Sequence, residues 1–491
     1  MGSWVTSALI LVPAGAALAL WLLPWPRELV APLALGVSLV EVALWIGALA
    51  DFDFSAGAFD LQYAEQATWF GDLGVTYHVG FVGIGLWLAG LTVVGQTAAI
   101  VYAMRAGRDR PRAYYGLMLL LTAAAVGVFA AQDLLLFYVF WEAMLIPLYL
   151  LVGVWGGAGR QRATLLFVVY TMAGSLLMLA SIIVLGISEG TFDLRALQTN
   201  PNSSTWIFLG LAAAFAVKAP LFPFHGWLPS AYREAPAEVA GVLSGVVSKA
   251  AAYGFLYIAI LLLPGPAADL RTPVLVLAAV GLVYGSLLAF RARDVRGVIA
   301  YSSLAQLGLI MLGVFATNLA GWNGAVLQMV NHGLISVTMF MLAGLVESRT
   351  GTGRLDRLGG MAKGRPMLAT VLMVTGIIAL AVPGSTAFAG EFLILTGVFV
   401  TGWGWAVVGA IAIVLAAMYM LRLISAVLHR QEGSAVSDES RDLRPIELVT
   451  LVPLVACLLF LSAWPAAITS HTFTGTSNDP ALSDLLPELQ K

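Results

Sequence analysis

The sequence predicts an all-α polytopic membrane protein with about 14 transmembrane helices. Three observations support this fold class. The 491 residues are 60% hydrophobic and only 11% charged, whereas soluble domains carry about 25% charged residues. Apolar runs of about 18 or more residues, each long enough to cross the bilayer as a helix, recur along the whole chain. The basic residues are concentrated in alternate loops, as the positive-inside rule describes.

The apolar runs give the expected order of the spans. The first run has no basic residue ahead of it, so we expect a retained span and not a signal peptide. The seventh and twelfth runs contain internal Pro and Gly, which predicts discontinuous helices. The expected spans cover 7–24, 29–50, 77–103, 113–130, 134–155, 163–187, 205–227, 238–263, 273–290, 297–317, 323–346, 366–400, 404–427 and 446–468.

Charge distribution tests this count and assigns an orientation. Of the 25 basic residues, 20 fall in loops on one side of the predicted membrane. Arg195, Arg271 and Lys491 fall on the other side, and Lys218 and Lys249 lie inside spans. If one span had been missed or wrongly added, the basic residues would fall on both sides of the membrane. The split therefore supports fourteen spans and predicts that both termini lie outside.

Composition also limits the classes of ligand. A net charge of −2 and a pI of about 6.2 give no basic surface for nucleic acid. A single cysteine, Cys457, cannot supply a disulfide framework, a Cys-rich zinc site or an iron–sulfur cluster. We therefore expect no metal and no bound cofactor in this chain.

A small set of polar residues lies near the middle of the predicted spans. Charge at this depth is costly, so it usually faces the protein interior and marks an ion or proton path. Burial disfavours the charged form of lysine and glutamate, and a nearby opposite charge favours it. A Glu–Lys pair whose partners move can therefore release and take up a proton. The mid-depth residues are Glu142, Lys218, Lys249, Gln306, His332 and Glu391.

A purely structural role is the competing interpretation. A single pair such as Glu142 and Lys218 is explained equally well as a buried contact that fixes helix packing. Several polar groups at similar depth on separate spans favour a proton path. Glu41 is isolated in the second span, and there we favour a structural role.

The broken helices suggest an internal repeat. The segment 218–236 reads KAPLFPFHGWLPSAYREAP and includes His225, and the segment 382–395 reads VPGSTAFAGEFLIL. Spans four to eight (113–263) and nine to thirteen (273–427) are blocks of five, and each is broken at its fourth member. An odd number inverts the second block, and inverted repeats with discontinuous helices are typical of transporters. Residues 1–112 and 446–468 supply the flanking spans.

These motifs resemble the antiporter-like subunits of respiratory complex I (NADH–quinone oxidoreductase), most closely the M or chain 4 type. The resemblance runs from about residue 80 to 427. Besides the Lys218 segment, its motifs are DLLLFYVFWEAMLIPLYLLVGVWG at 133–156, SKAAAYGF at 248–255, RDVRGVIAYSSLAQLG at 293–308, NHGLISVTMFMLAGLVESR at 331–349, LDRLGG at 355–360 and YMLRLI at 419–424.

The resemblance implies a proton-translocating subunit without a redox centre of its own. Proton carriage would pass through Glu142, Lys218, Lys249 and Glu391, with His332 between the second lysine and Glu391. His225 and Gln306 are weaker candidates. Flavin, iron–sulfur clusters and quinone are expected in partner subunits. The partners are expected to be other membrane subunits, especially L- and N-type neighbours, in the lipid bilayer of a bacterial inner membrane.

The chain departs from the family pattern at four positions. Gln306 stands where the family often has His, so we expect the link between Lys249 and His332 to depend on water. Ser230 and Tyr232 replace the Asp and His of WLPDAH, and Val82 alters the GxDG motif. Two alternatives stay open. The first is a Mrp-type cation/proton antiporter or membrane-bound hydrogenase module, and the second is a scaffold subunit that does not pump.

Overall fold

In the residues that the computed structural model describes, twelve continuous helices are long and apolar enough to cross a membrane. The structure describes residues 1–199, 202–437 and 440–473. With two broken spans added, the count is fourteen, as predicted. The continuous spans are Val5–Leu22, Arg27–Asp51, Gly83–Ala106, Pro111–Ala130, Leu134–Trp155, Arg160–Glu189, Ala237–Leu262, Arg271–Arg291, Val295–Val314, Leu319–Thr350, Trp403–His429 and Pro445–Ala463.

The seventh and twelfth spans are discontinuous, as the sequence predicts. The seventh consists of Thr205–Lys218 and Leu228–Glu234, separated by the segment with Pro220 and Pro223. Proline removes a backbone donor and clashes with the preceding turn, so the first half ends at Lys218. The seventh span therefore continues seven residues beyond the predicted end at 227.

In the twelfth span, Pro366–Ala379 and Thr386–Thr401 flank the break. Ala381 and Gly384 have positive φ there, and the Ser385 side chain accepts from the Phe388 N–H to cap the second half.

Three further spans carry local irregularities. The fifth divides at Met144 into Leu134–Ala143 and Leu145–Trp155, because Pro147 cannot donate to the carbonyl of Ala143. The eighth contains two π-helical turns, Leu243–Val247 and Gly254–Ala259, on either side of Lys249. The thirteenth ends in a third π-helical turn, Ser425–His429. Turns of this kind are frequent at functional sites.

The third span begins at Gly83, not at 77 as predicted from hydropathy. Residues Val75–Phe81 form a strand that pairs antiparallel with Gln62–Phe70, and the turn Gly71–Leu73 joins the two. The strand sequence VTYHVGF is apolar enough to extend the apolar run of the third helix, so a hydropathy reading joins them. Short helices at Leu194–Thr199, Pro264–Asp269 and Ala466–Thr469 complete the elements.

Two opposite faces of the bundle gather different loops. On the face that we call the basic face, ion pairs tie together the ends of spans that are distant in sequence. These pairs are Arg105–Glu447, Arg349–Glu447, Arg108–Glu238, Arg233–Asp294 and Arg296–Glu347. On the opposite face, His78 of the hairpin contacts Asp193, with 2.5 Å between Nδ1 and Oδ2. The span ends that meet on each face are those that the predicted order of spans places on the same side of the membrane.

The third, fourth, eighth, tenth and eleventh spans are surrounded by other helices, whereas the first, second, sixth, thirteenth and fourteenth face outward. Small residues permit close packing between the eleventh and twelfth spans. A Cβ added at Gly324 would lie 2.6 Å from the backbone nitrogen of Ile394. This contact sets the position of the second half of the broken twelfth helix.

Gly324→Ala is therefore expected to destabilise the protein by about 1–3 kcal/mol, because the added methyl group forces two backbones apart. The measurement is the thermal unfolding midpoint of the purified protein in detergent. Gly15→Ala is the matched control, since no atom lies within 4 Å of its added Cβ. An unchanged midpoint for Gly324→Ala would contradict this account of the packing.

Candidate functional site

Lys218 is the last residue of the first half of the seventh span, and its side chain is buried. Its Nζ donates to the backbone carbonyl of Trp141 at 3.2 Å. The same Nζ lies 3.6 Å from the centre of the Trp141 ring, which gives a cation–π contact in a site shielded from water. The kinked fifth span thus supplies both of these stabilising contacts to the ammonium group.

Glu142 follows Trp141 directly in the chain and is half-buried. Among the described residues, no nitrogen–oxygen contact within 4.0 Å joins Lys218 to Glu142. The structure therefore places Glu142 next to Trp141, which Lys218 contacts, but the expected ion pair between Glu142 and Lys218 is not formed.

Lys249 is fully buried between the two π-helical turns of the eighth span. Its Nζ donates to the carbonyl of Ser244 at 2.8 Å and to Ser248 Oγ at 3.2 Å. The third contact, at 2.5 Å, is to Nδ1 of His332 on the eleventh span. An ammonium group has donors only, so Nδ1 accepts while Lys249 is charged.

His332 continues this contact. With Nδ1 as the acceptor, the neutral imidazole carries its proton on Nε2 and donates to Ser336 Oγ at 3.1 Å. We call Lys249, Ser248, His332 and Ser336 the lysine cluster. The expected water link between Lys249 and His332 is replaced by a direct contact, because both side chains project into the same gap between the eighth and eleventh spans.

Gln306 lies on the other side of His332, next to Glu391. Its amide Nε2 donates to Glu391 Oε1 at 2.9 Å, and its Oε1 accepts from Gln328 Nε2 at 2.8 Å. Glu391 is almost fully buried, and its Oε2 has no hydrogen-bond partner among the described residues. We call Gln306, Gln328 and Glu391 the carboxyl cluster. Its free carboxyl oxygen is a site where a proton can be taken up.

A cavity of about 20 Å³ lies between the two clusters. Its lining includes His332 and Ser336 on one side, and Gln306, Gln328 and Tyr419 on the other. Such a volume holds about one water molecule, and six polar side chains line it, with Ser302 as the sixth. The cavity therefore lies between the lysine cluster and the amides of Gln306 and Gln328, and Glu391 lies beyond it, bonded to Gln306.

The remaining candidate, His225, does not join this path. It lies in the break of the seventh span, where its ring stacks on Phe222 with centroids 5.6 Å apart. Its Nδ1 is buried and has no hydrogen-bond partner within the described part of the chain. These contacts favour a packing role for His225.

Sequence reasoning missed the amides that hold the twelfth span. Asn331 Nδ2 donates to the carbonyl of Thr386 at 2.8 Å, and Thr386 Oγ1 donates to Asn331 Oδ1 at 2.7 Å. Gln328 and Asn331 precede His332 by four residues and one residue on an apolar span. Their amide side chains in that run were an available signal for a buried polar face.

Broken helices around a buried line of exchangeable protons define a class of membrane proteins that carry ions or protons through the bilayer. The chain belongs to the family described as NADH:quinone oxidoreductase/Mrp antiporter, TM, whose model matches residues 131–418. That match covers more than half of the chain and includes every residue of both clusters.

Three relatives illustrate the match. NADH-quinone oxidoreductase subunit M of Mycobacterium tuberculosis is 35% identical over 94% of this chain and 91% of its own length. F(420)H(2) dehydrogenase subunit M of Methanosarcina mazei is 35% identical over 94% of this chain and 95% of its own length. A chain of respiratory complex I from Thermus thermophilus is 31% identical, with a TM-score of 0.88 and 99% of both chains covered.

Asn331→Leu is expected to destabilise the protein by about 2–4 kcal/mol, because it removes three buried hydrogen bonds, two of them to Thr386. The readouts are the unfolding midpoint in detergent and the rate of proteolysis in the break at 380–385. Asn323→Leu on the same span is the control, since its buried Oδ1 has no hydrogen-bond partner in the described residues. Equal effects of the two substitutions would contradict a specific tie to the twelfth span.

Proposed function

We propose that this chain is the M-type, proton-translocating membrane subunit of an NADH–quinone oxidoreductase. The single observation that carries the proposal is the line of hydrogen bonds from Lys249 through His332 toward Gln306 and Glu391. The relatives named as M subunits, each matched over most of its length, support the assembly. Redox energy released elsewhere in the complex would drive protons through this line.

The first step concerns Lys218. In the structure its ammonium is held by Trp141 and not by Glu142. Bringing Glu142 within ion-pair distance would stabilise the charged lysine, and withdrawing it would favour loss of the proton. Moving one charge against 100 mV costs about 2.3 kcal/mol, a magnitude that a change in one buried ion pair supplies.

The second step carries a proton across the centre. Lys249 gives a proton from Nζ to His332 Nδ1, and the imidazole releases its Nε2 proton to Ser336 or to water in the small cavity. That proton then reaches the free Oε2 of Glu391. Gln306 does not titrate; it holds Oε1 of the carboxyl group and leaves Oε2 to accept. Each donor loses one proton and each acceptor gains one.

The same proposal places redox chemistry outside this chain. Flavin, iron–sulfur clusters and quinone would reside in partner subunits, and L- and N-type antiporter-like subunits would flank this one in a bacterial inner membrane. The basic face would be cytoplasmic and both termini outside. Spans four to eight and nine to thirteen would form two inverted repeats, and their breaks at the fourth member support this arrangement.

The alternatives are less well supported. A sodium site in a cation antiporter would need clustered carboxylates, whereas the buried groups here are mixed in sign. A scaffold without proton transport would not need Gln306, yet this amide contacts both Glu391 and Gln328. The electron donor is a property of partner subunits, since relatives of similar identity are named for NADH and for F(420)H(2).

Glu142→Gln is expected to lower NADH-driven acidification of inverted membrane vesicles and NADH oxidation together, by about tenfold or more. The cause is that a neutral amide cannot regulate the charge on Lys218. Glu41→Gln is the control, because Glu41 is fully buried in the second span and both of its oxygens lack partners among the described residues. Wild-type pumping in Glu142→Gln, at matched assembly, would remove Glu142 from the path.

Gln306→Leu is expected to reduce the pumping rate by about tenfold, because it leaves Glu391 Oε1 and the Gln328 amide unpaired beside the small cavity. Gln306→His should retain most of the rate, since the family often carries His at this position. Pumping and NADH oxidation are compared in vesicles with equal complex content. If leucine and histidine behave alike, hydrogen bonding at residue 306 is not part of the path.

A further inference from the structure

A cavity of about 550 Å³ lies between the second, third, eleventh and fourteenth spans, outside the proton path proposed above. Apart from Cys457 and His471, its lining residues are aliphatic, aromatic or glycine. An apolar cavity offers water too few hydrogen-bond partners to hold it in place. The lining therefore fits a hydrocarbon ligand.

The cavity is bordered by residues that lipid can reach. The second and fourteenth spans both face outward. Phe460 and Trp464 of the fourteenth span line the cavity, and they are 54% and 52% exposed. In a membrane these exposed rings meet lipid, so a lipid chain can enter beside them.

The depth of the cavity matches one leaflet. Its lining residue Val94 is eleven residues after Gly83, where the third span begins, and is therefore about 16 Å along that helix. Val330 is equally far from the start of the eleventh span at Leu319. Half of the hydrocarbon core is about 15 Å thick. The cavity thus reaches the bilayer centre from the face opposite the basic face.

The two ends of the cavity differ in polarity. The deep end is lined by the aliphatic side chains of Val94, Val330 and Leu334. At the other end are Trp464 and His471, which follow the fourteenth span after its end at Ala463. Tryptophan is enriched where lipid headgroups meet hydrocarbon, because its ring is apolar and its N–H is polar. The same change from polar to apolar runs along a phospholipid from its ester groups to its chain ends.

The deep end of the cavity borders the helical turn that carries His332. Val330 and Leu334 lie two residues before and two residues after it. Leu91, another lining residue, packs against the same turn, since a Cβ added at Gly333 would lie 2.5 Å from Leu91 Cδ2. A ligand in the cavity would therefore pack behind this turn.

We propose that this cavity binds one acyl chain of a phospholipid from the leaflet opposite the basic face. The chain end lies against Val330 and Leu334, and the ester groups lie near Trp464 and His471. The bound chain fills the space behind the turn that carries His332. This inference concerns lipid binding and does not depend on proton transport by the chain.

The test uses two photoreactive phospholipids in membrane vesicles that contain the full chain in its assembly. One carries a diazirine at the end of an acyl chain, and the other carries it next to the ester. After irradiation, the labelled residues are identified by mass spectrometry. We expect the first lipid to label Val330 and Leu334, and the second to label Trp464 and His471.

Cys457→Trp places an indole ring in the cavity. We expect it to lower labelling of Val330 and Leu334 by about tenfold or more, because the ring displaces several methylene groups of the bound chain. Leu459→Trp is the matched control, since Leu459 lies on the same span, is 51% exposed and is not among the lining residues. It should leave the labelling unchanged. Val94→Trp is the second cavity-filling variant in case Cys457→Trp fails to assemble.

Three results would overturn the proposal. The first is labelling confined to outward-facing residues such as Leu459, with none at Val330 or Leu334. The second is equal loss of labelling in Cys457→Trp and Leu459→Trp. The third is labelling of the deep residues by a diazirine-bearing isoprenoid quinone and not by the phospholipid, which would assign the cavity to a quinone tail.

Discussion

A charged side chain in the middle of a bilayer must find all of its polar partners inside the protein, and the rest of this structure follows from that constraint. Lys249 is the clearest case. It is fully buried, and three acceptors within 3.2 Å surround its ammonium group. Such a site exists only where other helices exclude lipid, which is why the eighth, tenth and eleventh spans occupy the centre of the bundle.

Interrupted helices supply polar contacts that regular helices cannot. An unbroken α-helix uses its own carbonyls internally, so it has few to offer a buried lysine. The kink in the fifth span leaves Trp141 as an acceptor for Lys218, and the π-helical turns of the eighth allow Ser244 to accept from Lys249. Freed backbone groups at this depth are tolerated because they face the interior. The interruptions in the helices therefore provide carbonyl acceptors for the charged residues.

The two halves of the path meet this constraint with different chemistry. Around the lysines, the acceptors are carbonyls, an indole ring and an imidazole. Around Glu391, the neutral amide of Gln306 donates to the carboxyl group without a compensating charge, and Gln328 in turn donates to Gln306. The small cavity between the halves has room for about one water molecule. In the proposed function, transfer across the centre would depend on hydration as well as on side-chain geometry.

The sequence by itself determined the number of spans, their parity, the two broken helices and the depth of the ionisable residues. These properties depend on hydropathy, proline and charge along one dimension. The prediction from sequence failed at the strand Val75–Phe81, because hydropathy does not distinguish an apolar strand from the start of a helix. Only the tertiary structure decided which residues touch. Lys249 meets His332 directly, and Gln306 joins Glu391, across 83 and 85 residues of chain. Helix rotation and packing set these contacts, and no local pattern encodes them.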